Sequence, residues 1–184
     1  MESSALNEEE LLSDKLGKAS EEYFKESWLD LKRQNLLQFL QNNDCREVIS
    51  KSVDDDIFSN VFTIAGIRNH PDILRALLDN GMNVDSKCRD GNTALTFSCM
   101  EGYEDSVRLL CDRHANLDHQ NKTGMTGLMF ASSRGNKETV QFLLDHNADI
   151  NLINKFGKTA LDLADTDAIK EMLQNHVNTS YVLK

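Results

Sequence analysis

Three runs along the chain place apolar and charged residues at helical spacing: Asp72-Ile-Leu-Arg-Ala-Leu-Leu78, Asp105-Ser-Val-Arg-Leu-Leu-Cys111 and Glu138-Thr-Val-Gln-Phe-Leu-Leu144. Each predicts a helix with one apolar face and one charged face. The runs begin 33 residues apart, and a shorter apolar segment precedes each in the same register: Asn60-Val-Phe-Thr-Ile-Ala65, Thr93-Ala-Leu-Thr-Phe-Ser98 and Thr126-Gly-Leu-Met-Phe-Ala131. A fourth copy, Thr159-Ala-Leu-Asp-Leu-Ala164, follows at the same distance. In the last three copies the Thr hydroxyl is placed to cap a first helix. The slots Asn69/Gly102/Gly135 and Gly81/His114/Asn147 hold only Gly, Asn or His. Those residues enter the left-handed region at least cost, so both sets are predicted helix stops. The unit reads as turn, helix, tight turn, helix, loop, and its fixed period is the mark of stacked supersecondary units in an all-α chain.

On these motifs the chain resembles the ankyrin-repeat family, whose unit has the same length and a Thr-Pro-Leu-His-x-Ala signature opening the first helix. The resemblance implies an all-α solenoid of helix pairs with β-turn or hairpin tips. It covers residues 55–176, as repeats 55–87, 88–120, 121–153 and a short C-terminal cap 154–176. The signature lacks its Pro and its His in every copy, and in the family that His ties neighbouring repeats together, so a less rigid stack is expected. The first copy departs furthest, with Phe58 where the others have the turn glycine. Upstream, residues 20–54 read as a degenerate helical cap with Asn35 in a stop slot between two apolar runs, and its first helix is expected to begin after Ser20. Residues 1–19 and 177–184 read as tails, the first of them acidic and flexible.

Composition narrows the class. No apolar run is long enough to span a membrane and no basic-then-apolar leader is present, so a soluble chain is expected. Cys45, Cys88, Cys99 and Cys111 follow no disulfide framework, which predicts reduced thiols and a cytoplasmic or nuclear location. The net charge is −10, of which residues 1–56 carry −7 (fourteen acidic, seven basic) and the remainder −3 (sixteen acidic, thirteen basic).

Chemistry-bearing constellations are sparse. Cys111, His114, His119 and Cys88 have the flavour of metal-ligand spacing, yet Cys111 fills a Leu slot and His114 a helix-stop slot, so no metal is expected. There is no phosphate loop, nucleophile elbow or paired His-Glu motif, so neither enzyme activity nor a cofactor is expected. A pI near 4.9 and few aromatics for stacking argue against nucleic acid.

The expected function is therefore protein binding. The resemblance places the binding face on the tips and on the exposed side of the first helices. Carried onto this chain, the tips give Ile57, Lys87, Arg89, Asn92, Lys122, Met125, Lys155, Phe156 and Lys158, with Ile153 beside them. The helices give Ile67, Arg68, Met100, Glu101 and Arg134. Seven of these residues are basic, and Met and aromatic anchors lie between them, so the expected partner is an acidic protein segment with apolar anchors. The chain is expected to be a monomer before it meets that partner, and to act as an adaptor or a regulatory or inhibitory subunit. An assembly chaperone or a stable subunit of a complex is the alternative. Opposite charge also raises the idea that the acidic tail lies in the basic groove.

Overall fold

The computed structural model describes residues 14–20, 30–43, 45, 46, 49 and 56–182. From Asp30 onward the helices are α1 (Asp30–Asn42), α2 (Asp56–Ile67), α3 (Pro71–Asp79), α4 (Ala94–Glu101) and α5 (Glu104–Asp112). They continue as α6 (Gly127–Arg134), α7 (Lys137–Asp145), α8 (Ala160–Leu163) and α9 (Asp167–Val182). Helices α2, α4, α6 and α8 stack as one row, and α1, α3, α5, α7 and α9 stack as a second. The core lies between the rows, where Val61, Phe62, Leu74, Leu77, Leu95, Leu110, Leu128 and Leu143 are buried.

The predicted stops and caps explain why the elements fall where they do. Asn69, His114 and Asn147 have φ of 53°, 62° and 62°, and Gly81, Gly102 and Gly135 have φ of 85°, 74° and 78°. All six slots thus take the left-handed turn that ends a helix. Thr93, Thr126 and Thr159 each accept a hydrogen bond from the backbone N–H three residues on, at 3.2 Å in every case. Thr96 and Asp162 return the bond to the cap residue's own N–H, closing two capping boxes.

Asp162 accepts from the Thr159 backbone N–H and from its hydroxyl, and these bonds hold its carboxyl below the ordinary 3.8. A folded value below the unfolded one contributes stability that is complete above the unfolded value and lost as pH falls through the folded value. Acidification below about pH 4 is therefore expected to loosen α8 first. Asp162→Asn, which still accepts through its amide oxygen, should flatten that response in amide exchange of residues 160–163.

The missing signature His does not leave the repeats untied. The Ser106 hydroxyl donates to Asn69 Oδ1 (2.9 Å), and Asn136 Nδ2 donates to the carbonyls of Cys99 and Met100 (2.9 Å each). Asp85 Oδ1 accepts from the Asn116 N–H (2.9 Å), and Asp118 Oδ1 accepts from the Asp149 N–H (2.7 Å). These polar links between repeats run through side chains outside the signature, and Ser98 within it adds a longer one to the Gly66 carbonyl at 3.4 Å.

Both ends differ from expectation. Helix α1 runs straight through Asn35, so that residue is not a stop. Leu36 and Leu40, one turn apart, are both buried, and an Asn inside a helix costs only a fraction of a kcal/mol, so packing overrides the local signal. The cap is fastened to α3 by Arg33, whose guanidinium pairs with Asp72 at 2.7 Å, and by the buried amide of Asn80. Residues 14–20, expected to belong mostly to the flexible tail, are helical, and Leu16 and Ser20 are fully buried. The expected helix start after Ser20 and the acidic residues 1–13 lie outside the described residues. At the other end α8 has 4 residues where α4 and α6 have 8. Helix α9 continues past residue 176 to Val182, so the expected tail at 177 is helical through most of its length.

Candidate protein-interaction face

Three hairpin tips share one construction. Residues 88, 121 and 154 donate their N–H to the carbonyls of 92, 125 and 158, at 2.9, 3.0 and 2.9 Å. Gly91, Gly124 and Gly157 close each turn onto the carbonyl three residues back. The tips are then tied in sequence: the Lys122 N–H donates to the Asp90 carbonyl, and the Lys155 N–H to the Thr123 carbonyl, both at 3.0 Å. Side chains reinforce the row, with His119 Nε2 2.7 Å from the Gly91 carbonyl and Gln120 Nε2 donating to the carbonyls of Gly124 and Ile153. Such a hydrogen-bonded row holds its exposed side chains at fixed spacing, which is the preorganisation a binding surface needs.

The described structure exposes Lys87, Arg89, Lys122, Lys155, Phe156 and Lys158 on this row. Phe156 is 75% exposed and Ile153 59%, the two large apolar side chains left open to solvent among the described residues. Two predicted tip residues are used internally instead. Asn92 Oδ1 accepts from Asn121 Nδ2 (2.8 Å), and Met125 packs against the core with its sulfur 3.3 Å from Asn154 Nδ2. Ile57 is not at a tip at all, because α2 begins at Asp56 where the other repeats form a hairpin. Without a turn glycine, that segment extends its helix by a turn instead.

The first-row helices keep their solvent faces at positions i, i+3 and i+4. On α4 these are Phe97, Met100 and Glu101, and on α6 they are Phe130, Ser133 and Arg134; at the end of α2 they are Ile67 and Arg68, while Ile64 packs against the core. The predicted Ile67, Arg68, Met100, Glu101 and Arg134 therefore lie on equivalent faces, with Glu101 and Arg134 exposed and the others half-buried. Sequence reasoning missed the first position of each set. Ile64, Phe97, Phe130 and Leu163 recur every 33 residues and are all half-buried, but Ile64 and Leu163 pack against the core, which leaves Phe97 and Phe130 on the face. Stepping one helical turn back from Met100 would have found them.

A second concavity lies on the other row, between α5, α7 and α9. It is a cleft of about 470 Å³ lined in part by Arg108, Phe142, His146 and Met172. The Arg108 guanidinium sits 4.8 Å from the Phe142 ring centre, and the His146 ring stacks on the same Phe142 ring with centres 4.0 Å apart.

The cysteines carry no visible chemistry. Cys88, Cys99 and Cys111 are free thiols; burial raises the Cys99 thiol pKa well above the ordinary value and pushes that of Cys111 up to about 11. A raised value leaves little thiolate at neutral pH, the opposite of a reactive site. Among the described residues no group of three or more His, Cys, Asp and Glu side chains comes together as a metal site. Also among them, no helix is long and apolar enough to cross a membrane.

Comparison with known proteins agrees with the stack. Residues 31–121 match a family model described as ankyrin repeats (3 copies), and residues 109–164 match one described as ankyrin repeats (many copies). The two matches together span both helix rows from the cap to α8, and the chain belongs to the ankyrin-repeat family. Ankyrin repeats generally mediate protein–protein interaction and are typically not enzymes. No curated protein matches the chain.

Proposed function

We propose that this chain is a non-enzymatic interaction module that holds an acidic, apolar-anchored segment of a partner protein in the groove formed by its tips and first-row helices. The observation that carries the reading is Phe156, three-quarters exposed on a hydrogen-bonded tip between Lys155 and Lys158. Leaving a large aromatic in water forgoes its burial, and aromatic side chains are enriched in protein interfaces. The basic residues give the groove a sign opposite to that of the chain as a whole, which suits it to steering an acidic segment. The free thiols of Cys88, Cys99 and Cys111 support a reducing cytoplasmic or nuclear compartment.

Among the roles open to such a module, the adaptor gains from the cleft at Phe142, which offers a second surface on the opposite helix row. A regulatory or inhibitory subunit needs only the groove, and so does an assembly chaperone. The double variant Arg89→Glu with Phe156→Ala, co-purified from cells beside the wild type, is expected to lose the groove partner by about a hundredfold. Retention of every partner would overturn the groove reading; loss of one with retention of another would favour the adaptor.

A further inference from the structure

We infer that the tip at residues 154–158 is an open end of the tip row, completed by an Asp-x-x-Gly turn of the partner that docks as one tip of this chain docks on the next. The inference rests on the groove reading above and specifies what the partner presents at that end. Two junctions inside the chain set the mode of docking. Asp90 and Thr123 occupy the same place in successive tips, and their carbonyls accept the N–H of Lys122 and of Lys155, both at 3.0 Å. Phe156 is next in that register, and among the described residues its carbonyl receives no backbone N–H. The glycines mark the same face. A Cβ at Gly91 would lie 3.1 Å from Lys122 N and one at Gly124 2.9 Å from Lys155 N, whereas one at Gly157 meets nothing within 4 Å. Gly124 is accordingly buried and Gly157 exposed. The same tip carries Phe156 with Ile153 just before it, the two large apolar side chains exposed among the described residues. A backbone acceptor and apolar area thus stand open together, as at the edge of a structure that a partner extends.

The register also sets the chemistry of the incoming turn. Asn121 and Asn154 each close their own turn through Oδ1, which accepts from the N–H groups two and four residues on. Their Nδ2 groups reach back to the preceding tip, to Asn92 Oδ1 at 2.8 Å and to Met125 Sδ at 3.3 Å. The next residue in that slot is Lys158, whose ammonium donates and cannot accept. An incoming Asn would set donor against donor, whereas an incoming Asp closes its turn with one oxygen and pairs with Lys158 through the other. The glycine three residues on repeats the place of Gly124 and Gly157, whose φ values are 78° and 70°. Within this chain the Asp place is held by Cys88, Asn121 and Asn154, so a separate partner fits the site better than a second copy.

The test titrates the full chain with three head-to-tail cyclised hairpin peptides and follows its amide chemical shifts. One has the turn Asp-Glu-Thr-Gly-Met; one has Asn in place of the Asp; one has the first sequence with the Glu nitrogen methylated. That nitrogen stands where Lys122 and Lys155 donate, so methylation removes the bond to the Phe156 carbonyl. The first peptide is expected to shift residues 153–158 and to bind about tenfold tighter than the methylated one and about threefold tighter than the Asn one. Lys158→Ala should abolish only the second difference. Gly157→Asn adds a Cβ through a residue type that tolerates positive φ, so the chain stays folded while the docked turn meets a contact like that at Gly124. It should weaken the first peptide about tenfold, with circular dichroism confirming the fold. Equal binding of the methylated peptide, unchanged binding by Gly157→Asn, or no shift at residues 153–158 up to about 5 mM peptide would overturn the docked turn. Equal binding of the Asn peptide would overturn the Asp. In either event the Arg89→Glu with Phe156→Ala experiment still judges the groove reading separately. Sedimentation equilibrium of the chain alone is expected to show a monomer. A dimer abolished by Gly157→Asn would assign the tip to a second copy and overturn a separate partner.

Discussion

Replacing Asn80 by alanine is expected to destabilise the N-terminal end of the stack by roughly 2–4 kcal/mol. The Asn80 amide is nine-tenths buried and uses both its oxygen and its nitrogen across the junction between cap and first repeat. Its Oδ1 accepts from the Cys45 N–H at 2.9 Å, and its Nδ2 donates to the carbonyls of Leu40 at 3.2 Å and Ala76 at 2.9 Å. Alanine leaves the Cys45 N–H and the Leu40 carbonyl without that partner, and each orphaned buried group costs about 1–3 kcal/mol. Asn80→Asp keeps the acceptor but sets a carboxylate against two carbonyl oxygens, so a loss at least as large is expected. In a stacked array each unit leans on its neighbours, and the damage should concentrate near the cap. Amide exchange is the reading: faster exchange in residues 33–49 with little change in residues 127–163 fits, and uniform loss along the chain does not.

The second large effect is expected at Gly124, where alanine should cost about 2–4 kcal/mol, through two separable causes. Its φ is +78°, which penalises any L side chain by about 1–2 kcal/mol. A Cβ there would also lie 2.9 Å from Asn154 Cα and 2.9 Å from Lys155 N, both backbone atoms of the next tip. That contact forces apart the tips that the Lys155 N–H to Thr123 carbonyl bond holds together. Gly157 supplies the control, because its φ is +70° but nothing lies within 4 Å of a Cβ built on it. Urea denaturation should show Gly124→Ala losing clearly more than Gly157→Ala. Equal losses would mean that the tips are not locked to one another.

Much of this fold was legible because its signals are local. All six helix stops depend on which residues tolerate positive φ, and all three Thr caps depend on a hydroxyl within reach of its own helix. Asn35 shows where that logic ends: the burial of Leu36 and Leu40 against α3 decides its conformation, and that contact is remote in sequence. Ile57 shows the same limit at the first repeat, where the absence of a turn glycine signals a longer helix instead of a weak hairpin. The face itself was half legible. Exposed positions such as Lys155 and Phe156 follow from the period alone. The internal use of Asn92 and Met125 depends on partners 29 residues away, Asn121 and Asn154. Phe97 and Phe130 sit inside the signature segment, where apolar residues read as core until the helix faces are resolved; Ile64 and Leu163, at the same register, do pack against it.

The most direct test of the account is amide exchange of the full chain with and without the partner captured from cells. The account predicts slowed exchange at the tips, residues 87–92, 120–125 and 153–158, and along the first-row helices α4 and α6. Slowing confined to α5, α7 and α9, with the tips and α4 unchanged, would contradict it.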